Sequence, residues 1–342
     1  MRKILRQIPE NEWRKYINCC SNATIYHTPE WKTFLEKTFG YKPYYIFATD
    51  EYGQLAGMLP QFHVKSILTG NRLCSVPFSH ECGCLGDNYI CTALTNEAIN
   101  LNRQLNIGKI EIRDSINNSV FEGKSTFCTH KIELSQNLDE IWKKMDKGSV
   151  RWAVNKAKKL GVKVNSSINI EDLKEFYELN CITKHNLGVP CHPWDFFKNL
   201  FDFLEGHVKM YLSEYNGNII GGGIMLYYKD KVIYGYGAAN PDYLKLYPYN
   251  AFIWKSIEDA CINGYQMYDF GRTSYDNTGL IKFKERWGTQ EKKLWYSYYP
   301  KYTNSSLKDR NSGYSQFANK AVRVIPMPIY KAFSKSIFSH LG

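Results

Sequence analysis

Asp269, Arg272, Lys284 and Arg286 crowd into one short run, DFGRTSYDNTGLIKFKERWG, of a 342-residue chain. Arg272 follows the strand-like YDFG, and Gly271 permits a tight turn there. A guanidinium so placed can clamp a phosphate or carboxylate with two parallel bonds, or pair with Asp269. Asp269 can accept a proton or cap the turn. Lys284 can hold an anion or stand solvated on a short helix. Arg286, two residues on, points elsewhere on that helix. Polar groups gathered where a strand ends sit on a rigid scaffold, and such loops commonly bind ligands.

The elements that must position this set follow from local pattern. Residues 208–215 read as a strand and Asn216-Gly217-Asn218 as a turn. Strands are expected at 219–228 and 231–238. Residues 249–262 form a helix with Phe252, Ile253, Ile257, Ala260 and Cys261 on one face, Gly264 suits its stop, and 266–270 is the next strand. The first part of the chain repeats the theme. Helices are expected at 11–19, 29–39 and 93–105, and strands at 44–50, 55–64, 72–77 and 109–113. YIFATDEYGQLAGMLP lines up with MYLSEYNGNIIGGGIM, each a hairpin followed by a helix and a strand, which points to an internal duplication of an α/β unit. Between the halves, residues 146–164 form a strongly basic helix ending at Gly161, with Lys147, Arg151, Lys156, Lys158 and Lys159. It is either a solvated face or an anion-binding surface.

Composition narrows the partners. A hydrophobic fraction of 44% supports real cores, and the length allows two ordinary domains. A net charge of +11 favours anionic partners, among them nucleic acid, phosphorylated metabolites or an anionic membrane surface. Ten scattered cysteines, with a lone C-x-C at Cys82 and Cys84, give no zinc-ligand spacing, so no metal is expected and reduced thiols fit a cytoplasmic setting. The N-terminus lacks a signal-peptide core, and no apolar run is long enough to span a membrane.

Five segments resemble the Fem-type, or FemABX-like, acyltransferases of the GNAT superfamily, in particular members associated with exopolysaccharide and surface-protein systems. They are ATIYHTPEWKTFLEKTFG, GMLP with SVPFS, RWAVNKAKKLG, LGVPCHPWDFF and, most fully, DFGRTSYDNTGLIKFKERWG. The resemblance implies an α/β (α+β) fold of two tandem GNAT-like domains, each a mixed sheet flanked by helices. On this reading residues 1–125 are the first domain, 126–300 the second with the transfer site, and 301–342 a basic tail. It also implies transfer of an acyl or aminoacyl group onto an amine. The acceptor would be a phosphorylated or lipid-linked envelope precursor, of peptidoglycan or polysaccharide type, and the donor aminoacyl-tRNA or acyl-CoA, with no tightly bound cofactor.

Acyl transfer to an amine needs a neutral nucleophile, a stabilised oxyanion and a proton for the leaving group. No Ser-His-Asp or Cys-His motif occupies a strand–turn–helix site, so direct attack without a covalent enzyme intermediate is expected. The resemblance makes Lys284, in the family's FK motif, the leading catalytic candidate, with Asp269 and Arg272 beside it. Arg151 and Lys156 match basic residues near the acceptor phosphate, whereas Lys37 stands shifted from the family's early lysine. Phe283, Arg286 and Tyr236 complete the substrate-contacting set, although Tyr236 belongs to a series with Tyr234, Trp254 and Tyr265 that otherwise reads as core. His185 and His192 read as structural loop histidines rather than proton shuttles. GNAT acetyltransferases carry a glycine-rich loop whose N–H groups cradle the coenzyme A pyrophosphate. The equivalent NPDYLKLYPYN, residues 240–250, lacks those glycines, which favours aminoacyl-tRNA over acyl-CoA.

In the tail, polar NSSLKDRNSGYSQ leads to an amphipathic helix at 329–341. Ile329, Tyr330, Phe333, Ile337 and Phe338 recur on one face, with Lys331 and Lys335 beside them. It either lies on an anionic membrane, at the inner face, or docks on its own domain. The competing readings are an acyl-CoA-dependent N-acetyltransferase on an amino sugar and a non-catalytic RNA- or envelope-binding protein.

Overall fold

The structure is a computed structural model and describes residues 3–68, 70–301 and 319–342. Met1–Thr126, Leu294–Arg310 and Ser339–Gly342 form one unit, and Phe127–Lys293 with Asn311–Phe338 the other. Both units are therefore discontinuous, unlike the contiguous split expected at 125 and 300.

The first unit contains β1 (Ile4–Leu5), α1 (Glu10–Cys19), α2 (Pro29–Phe39), β2 (Lys42–Pro43), β3 (Ile46–Thr49), β4 (Leu55–Leu59), β5 (Phe62–Ser66), β6 (Gly70–Cys74), α3 (Asn88–Gln104) and β7 (Ile110–Ile112). The α2 helix starts where Thr28 accepts the Trp31 N–H and Pro29 presets the first turn, and it stops at Gly40, with φ of 66°. The single strand expected at 55–64 is two strands. Pro60 has no N–H for a ladder, so β4 ends before it and pairs in the sheet β1-β3-β4, while β5 joins β2, β6 and β7. β6 and β7 run parallel, and α3 makes the crossover between them. Ile90, Leu94 and Ala98 of α3 pack on Ile46, Leu59, Leu73 and Ile112.

The second unit holds the greater part of β8 (Glu122–Glu133), from Phe127 on, with α4 (Leu138–Lys144), α5 (Trp152–Lys159), β9 (Lys163–Ser167), α6 (Ile170–Leu187), α7 (Trp194–Phe203), β10 (Val208–Tyr215), β11 (Asn218–Tyr228), β12 (Lys231–Ala239), α8 (Pro248–Ile262), β13 (Met267–Ser274), α9 (Thr278–Glu285), the start of β14 (Gln290–Tyr299) and α10 (Met327–Phe338). Its strands lie in the order β8-β13-β12-β11-β10-β9. All of these neighbours are antiparallel except β12 and β13, which run parallel with α8 as their crossover. Each unit thus has a helix linking two parallel strands, β6-α3-β7 and β12-α8-β13, but the aligned hairpins differ: β3-β4 lies in the separate sheet β1-β3-β4, whereas β10-β11 shares the sheet of β12 and β13. Phe252, Ile253 and Ile257 of α8 pack on Tyr211, Met225, Val232, Tyr268, Phe270 and Trp287. Residues 297–299 of β14 pair with β7 in the first unit.

The basic stretch is not one regular helix. Residues Lys147–Arg151 form a π-helical turn, started by Asp146 accepting the Ser149 N–H at 2.8 Å, and α5 follows. The polar run at 304–316 lies outside the described residues. The α10 helix docks on the second unit. Tyr330 and Phe338 are buried, Lys331 pairs with Glu178 at 2.7 Å and Lys335 with Asp195 at 2.8 Å. Ile329 stays exposed. Among the described residues no helix is long and apolar enough to cross a membrane.

Candidate active site

The site begins where β12 and β13 part. They pair only from Lys231↔Met267 to Ile233↔Asp269, although β12 runs on to Ala239 and β13 to Ser274. Beyond that point the backbone groups of β13 facing β12 have no ladder partner and must be satisfied otherwise. On its other edge β13 bulges. Asp269 faces Lys131, but the next register pair is Arg272 with Thr129, so Phe270 and Gly271 together oppose His130. Gly271 takes φ of +69°, which a side chain would resist.

The bulge organises Asp269. Its carboxylate is buried, accepts the Gly271 N–H at 2.7 Å and the Thr129 hydroxyl, and forms an ion pair with Lys131 at 3.1 Å. This is a carboxylate held in place on three sides, with Lys131 supplying a salt bridge to it. Arg272 itself is exposed, its guanidinium 4.5 Å from the centre of the Phe127 ring.

Lys284 reaches the opening from α9, which Asn277 caps by accepting the Leu280 N–H at 3.1 Å. The helix is anchored just beyond by Trp287, fully buried, and by Gly288, where an added Cβ would lie 2.7 Å from the Lys144 carbonyl oxygen. Lys284 is only 3% exposed, and its ammonium donates to the carbonyls of Phe270 and Gly271 at 2.6 and 2.7 Å. It satisfies the acceptors that the parting strands leave open. Burial pushes its pKa down to about 8, against the raising influence of Asp269 and Cys128. An ammonium has three N–H groups, so one remains beyond these two bonds.

Phe283 packs against Trp287 and the second-unit core. Arg286 is exposed, and its carbonyl accepts the Asp146 N–H at 2.9 Å. Arg151 is half-buried, and Lys156 is exposed on α5. Hydrogen bonds from the Ser149 hydroxyl and N–H, and after them the charges of Arg286 and Arg151, hold the Asp146 carboxyl below its usual range, and backbone bonds of both arginines to Asp146 put them in one neighbourhood. Tyr236 lies apart from this set. The register of β11 and β12 shifts between Tyr234 and Tyr236, and their side chains serve different cores: Tyr234 packs on Phe252 and Phe270, Tyr236 on His192, Phe196 and Phe197. His192 is kept neutral by burial and by Lys184, and His185 bonds the Ile325 carbonyl at 2.9 Å. Residues 240–250 form a 3₁₀ helix, Pro241–Leu246, ahead of α8. Asn240 accepts the Asp242 N–H, and Pro248 leaves no donor at the first helical position.

Three side chains escaped the sequence reading: Cys128 and His130 of β8 and Glu291 of β14. Their ligand-type atoms all lie within 4.8 Å of one another. His130 is wholly buried, neither ring nitrogen has a hydrogen-bond partner among the described residues, and burial followed by Lys284 lowers its pKa. The only available signal was the pair of polar residues alternating in FCTHKIE.

Residues 147–285 match the family profile of the acetyltransferase (GNAT) domain. The fold is similar to that of the crystal structure of FemX, with 17% identity, 86% of this chain and 96% of that chain covered, and a TM-score of 0.71. It is also similar to L-PGS from Bacillus licheniformis, at 11% identity, 86% and 95% coverage and a TM-score of 0.52. A tandem GNAT protein from the clavulanic acid biosynthesis pathway matches at 9% identity, 87% and 98% coverage and a TM-score of 0.53. No curated protein matches the sequence. Residues 147–285 therefore read as a GNAT acetyltransferase domain, within a fold similar to those of FemX and of a tandem GNAT protein.

Proposed function

We propose that this chain, which carries a GNAT acyltransferase domain, moves an aminoacyl group from aminoacyl-tRNA onto an amine of a cell-envelope precursor. The observation that carries the reading is Lys284, a buried ammonium fixed by two carbonyls where β12 and β13 part, with one N–H left over. In the reaction the amine nitrogen attacks the ester carbonyl carbon, the new C–N bond forms, and the C–O bond to the tRNA ribose breaks. The carbonyl oxygen is negative between these events. The remaining Lys284 N–H donates to it in a site where water competes poorly, the usual source of large electrostatic stabilisation. The amine's proton leaves with the ribose oxygen, so no group is oxidised or reduced. Asp269, tied to Thr129, Gly271 and Lys131, positions the bulge beneath Lys284 rather than acting as the base.

The donor reading rests on residues 240–250. A 3₁₀ helix with a proline-started α8 offers no glycine cradle for a pyrophosphate, and the charge of +11 suits a polyanionic RNA. Arg151 and Arg286, near one another around Asp146, and exposed Lys156 and Arg272 are the residues we assign to phosphate on donor or acceptor. FemX and L-PGS, whose folds this chain shares, accord with an envelope acceptor. The test has two parts. Binding of aminoacyl-tRNA and of acyl-CoA is measured on the full chain, and envelope precursors are compared by mass spectrometry with and without the gene. Binding of aminoacyl-tRNA and a precursor mass shift of one aminoacyl group are expected. Tight acyl-CoA binding with an acetyl-sized shift overturns the donor, and no shift in any precursor overturns the reading.

A further inference from the structure

We propose that Cys128, His130 and Glu291 form a divalent-metal site of the zinc type. Cys128 and His130 are two residues apart on β8 and so present the same face, and β14, which carries Glu291, is the neighbouring strand. The sulfur, imidazole and carboxylate atoms lie within 4.8 Å of one another. Zinc bonds of about 2.0–2.3 Å at tetrahedral angles separate ligands by roughly 3.3–3.8 Å, so inward shifts of about 1 Å complete the geometry.

The independent sign of a ligand is His130. Its side chain is wholly buried, yet among the described residues neither ring nitrogen has a hydrogen-bond partner. Buried polar groups are nearly always paired, and a metal would satisfy one nitrogen outright. Glu291 accepts the Tyr275 hydroxyl at 2.9 Å, an outer bond that fixes the carboxylate while its other oxygen stays available. Cys128 is buried on β8, and on binding a cation its thiol would release a proton to solvent. A thiolate and a carboxylate together balance a dication. Lys284 disfavours a cation here, whereas Asp269 and Glu285 also act on His130 and offset it. A soft sulfur with nitrogen and oxygen selects zinc over magnesium or calcium, and three protein ligands leave a fourth position open. The proposal does not depend on the acyl donor or acceptor.

The test uses the full chain, stripped with a chelator and titrated with cobalt(II) and then zinc. One equivalent of cobalt should bind with a thiolate-to-cobalt charge-transfer band, and zinc should displace it. The band should be lost in Cys128→Ser, and stoichiometric binding lost in His130→Gln and Glu291→Gln. Glu291 is exposed, so its variant tests the site even if a β8 variant fails to fold. His63→Gln, at an exposed histidine hydrogen bond in the first unit, should leave binding unchanged. Absence of stoichiometric binding, a band that persists in Cys128→Ser, or binding that survives Glu291→Gln overturns the proposal.

Discussion

Replacing Lys284 by methionine should change how stability depends on pH, and the size of the change follows from its burial. A lysine ordinarily titrates at 10.5, and here the folded value is about 8. Between those values the unfolded chain binds more protons than the folded one, so stability rises as pH rises. Below about 8 both states carry the proton and the full cost of the buried charge is felt. The difference corresponds to roughly 3 kcal/mol, about 2.5 kcal/mol of it between pH 7 and pH 10. The methionine variant lacks the titration but also leaves the Phe270 and Gly271 carbonyls without their donor, a loss that does not vary with pH. Subtracting its curve from that of the parent removes every other titrating group. Urea unfolding followed by tryptophan fluorescence, with Trp287 buried beside the site, is the assay. With a slope of about 1–3 kcal/mol per molar urea, the parent's midpoint should gain on the variant's by about 1–2.5 M over that range. Parallel curves would refute the idea that Lys284 is a desolvated cation in the folded protein.

Activity should follow the same group. If the ammonium steadies the oxyanion, the parent's kcat/KM should fall as pH rises through about 8, measured relative to Lys284→Arg, whose charge persists. Lys284→Ala should lose about 10²–10³-fold in kcat. Asp269→Asn should cost about 3 kcal/mol, read by denaturant midpoint, because Lys131 loses its ion pair and the bulge its tether. Gly288→Ala should destabilise by at least about 1–2 kcal/mol in a thermal melt. Its φ of +74° disfavours a side chain, and the new Cβ would press on the Lys144 carbonyl.

Much of this site could be read from the letters, since Lys284, Asp269 and Gly271 fall in one motif whose strand and helix have clear periodicity. The strand β8 could not. Its segment EGKSTFCTHKIE is too polar to alternate cleanly, because Thr129 and Lys131 are held in the sheet by Asp269 from far along the chain. Nor does a period of two reveal a bulge. Tyr234 and Tyr236 share a face by spacing, and the register shift between them sends them to different cores. The tail helix was legible as amphipathic, but its destination depended on Glu178 and Asp195, two acidic residues on separate helices.

The return of residues 297–299 to pair with β7 sets a timetable for the nascent chain. When β7 leaves the ribosome, the strand that will cover one of its edges has not been made. Some 190 residues separate the two, roughly 10–40 s of synthesis. Throughout that interval the first unit presents an uncovered strand edge, the kind of surface that invites pairing with another chain. The second unit has most of its own sheet in hand before the first can close. A protein that begins its first unit early and finishes it late must therefore be guarded during synthesis, and slowing translation across residues 113–296 should cost yield of native protein more than slowing it elsewhere.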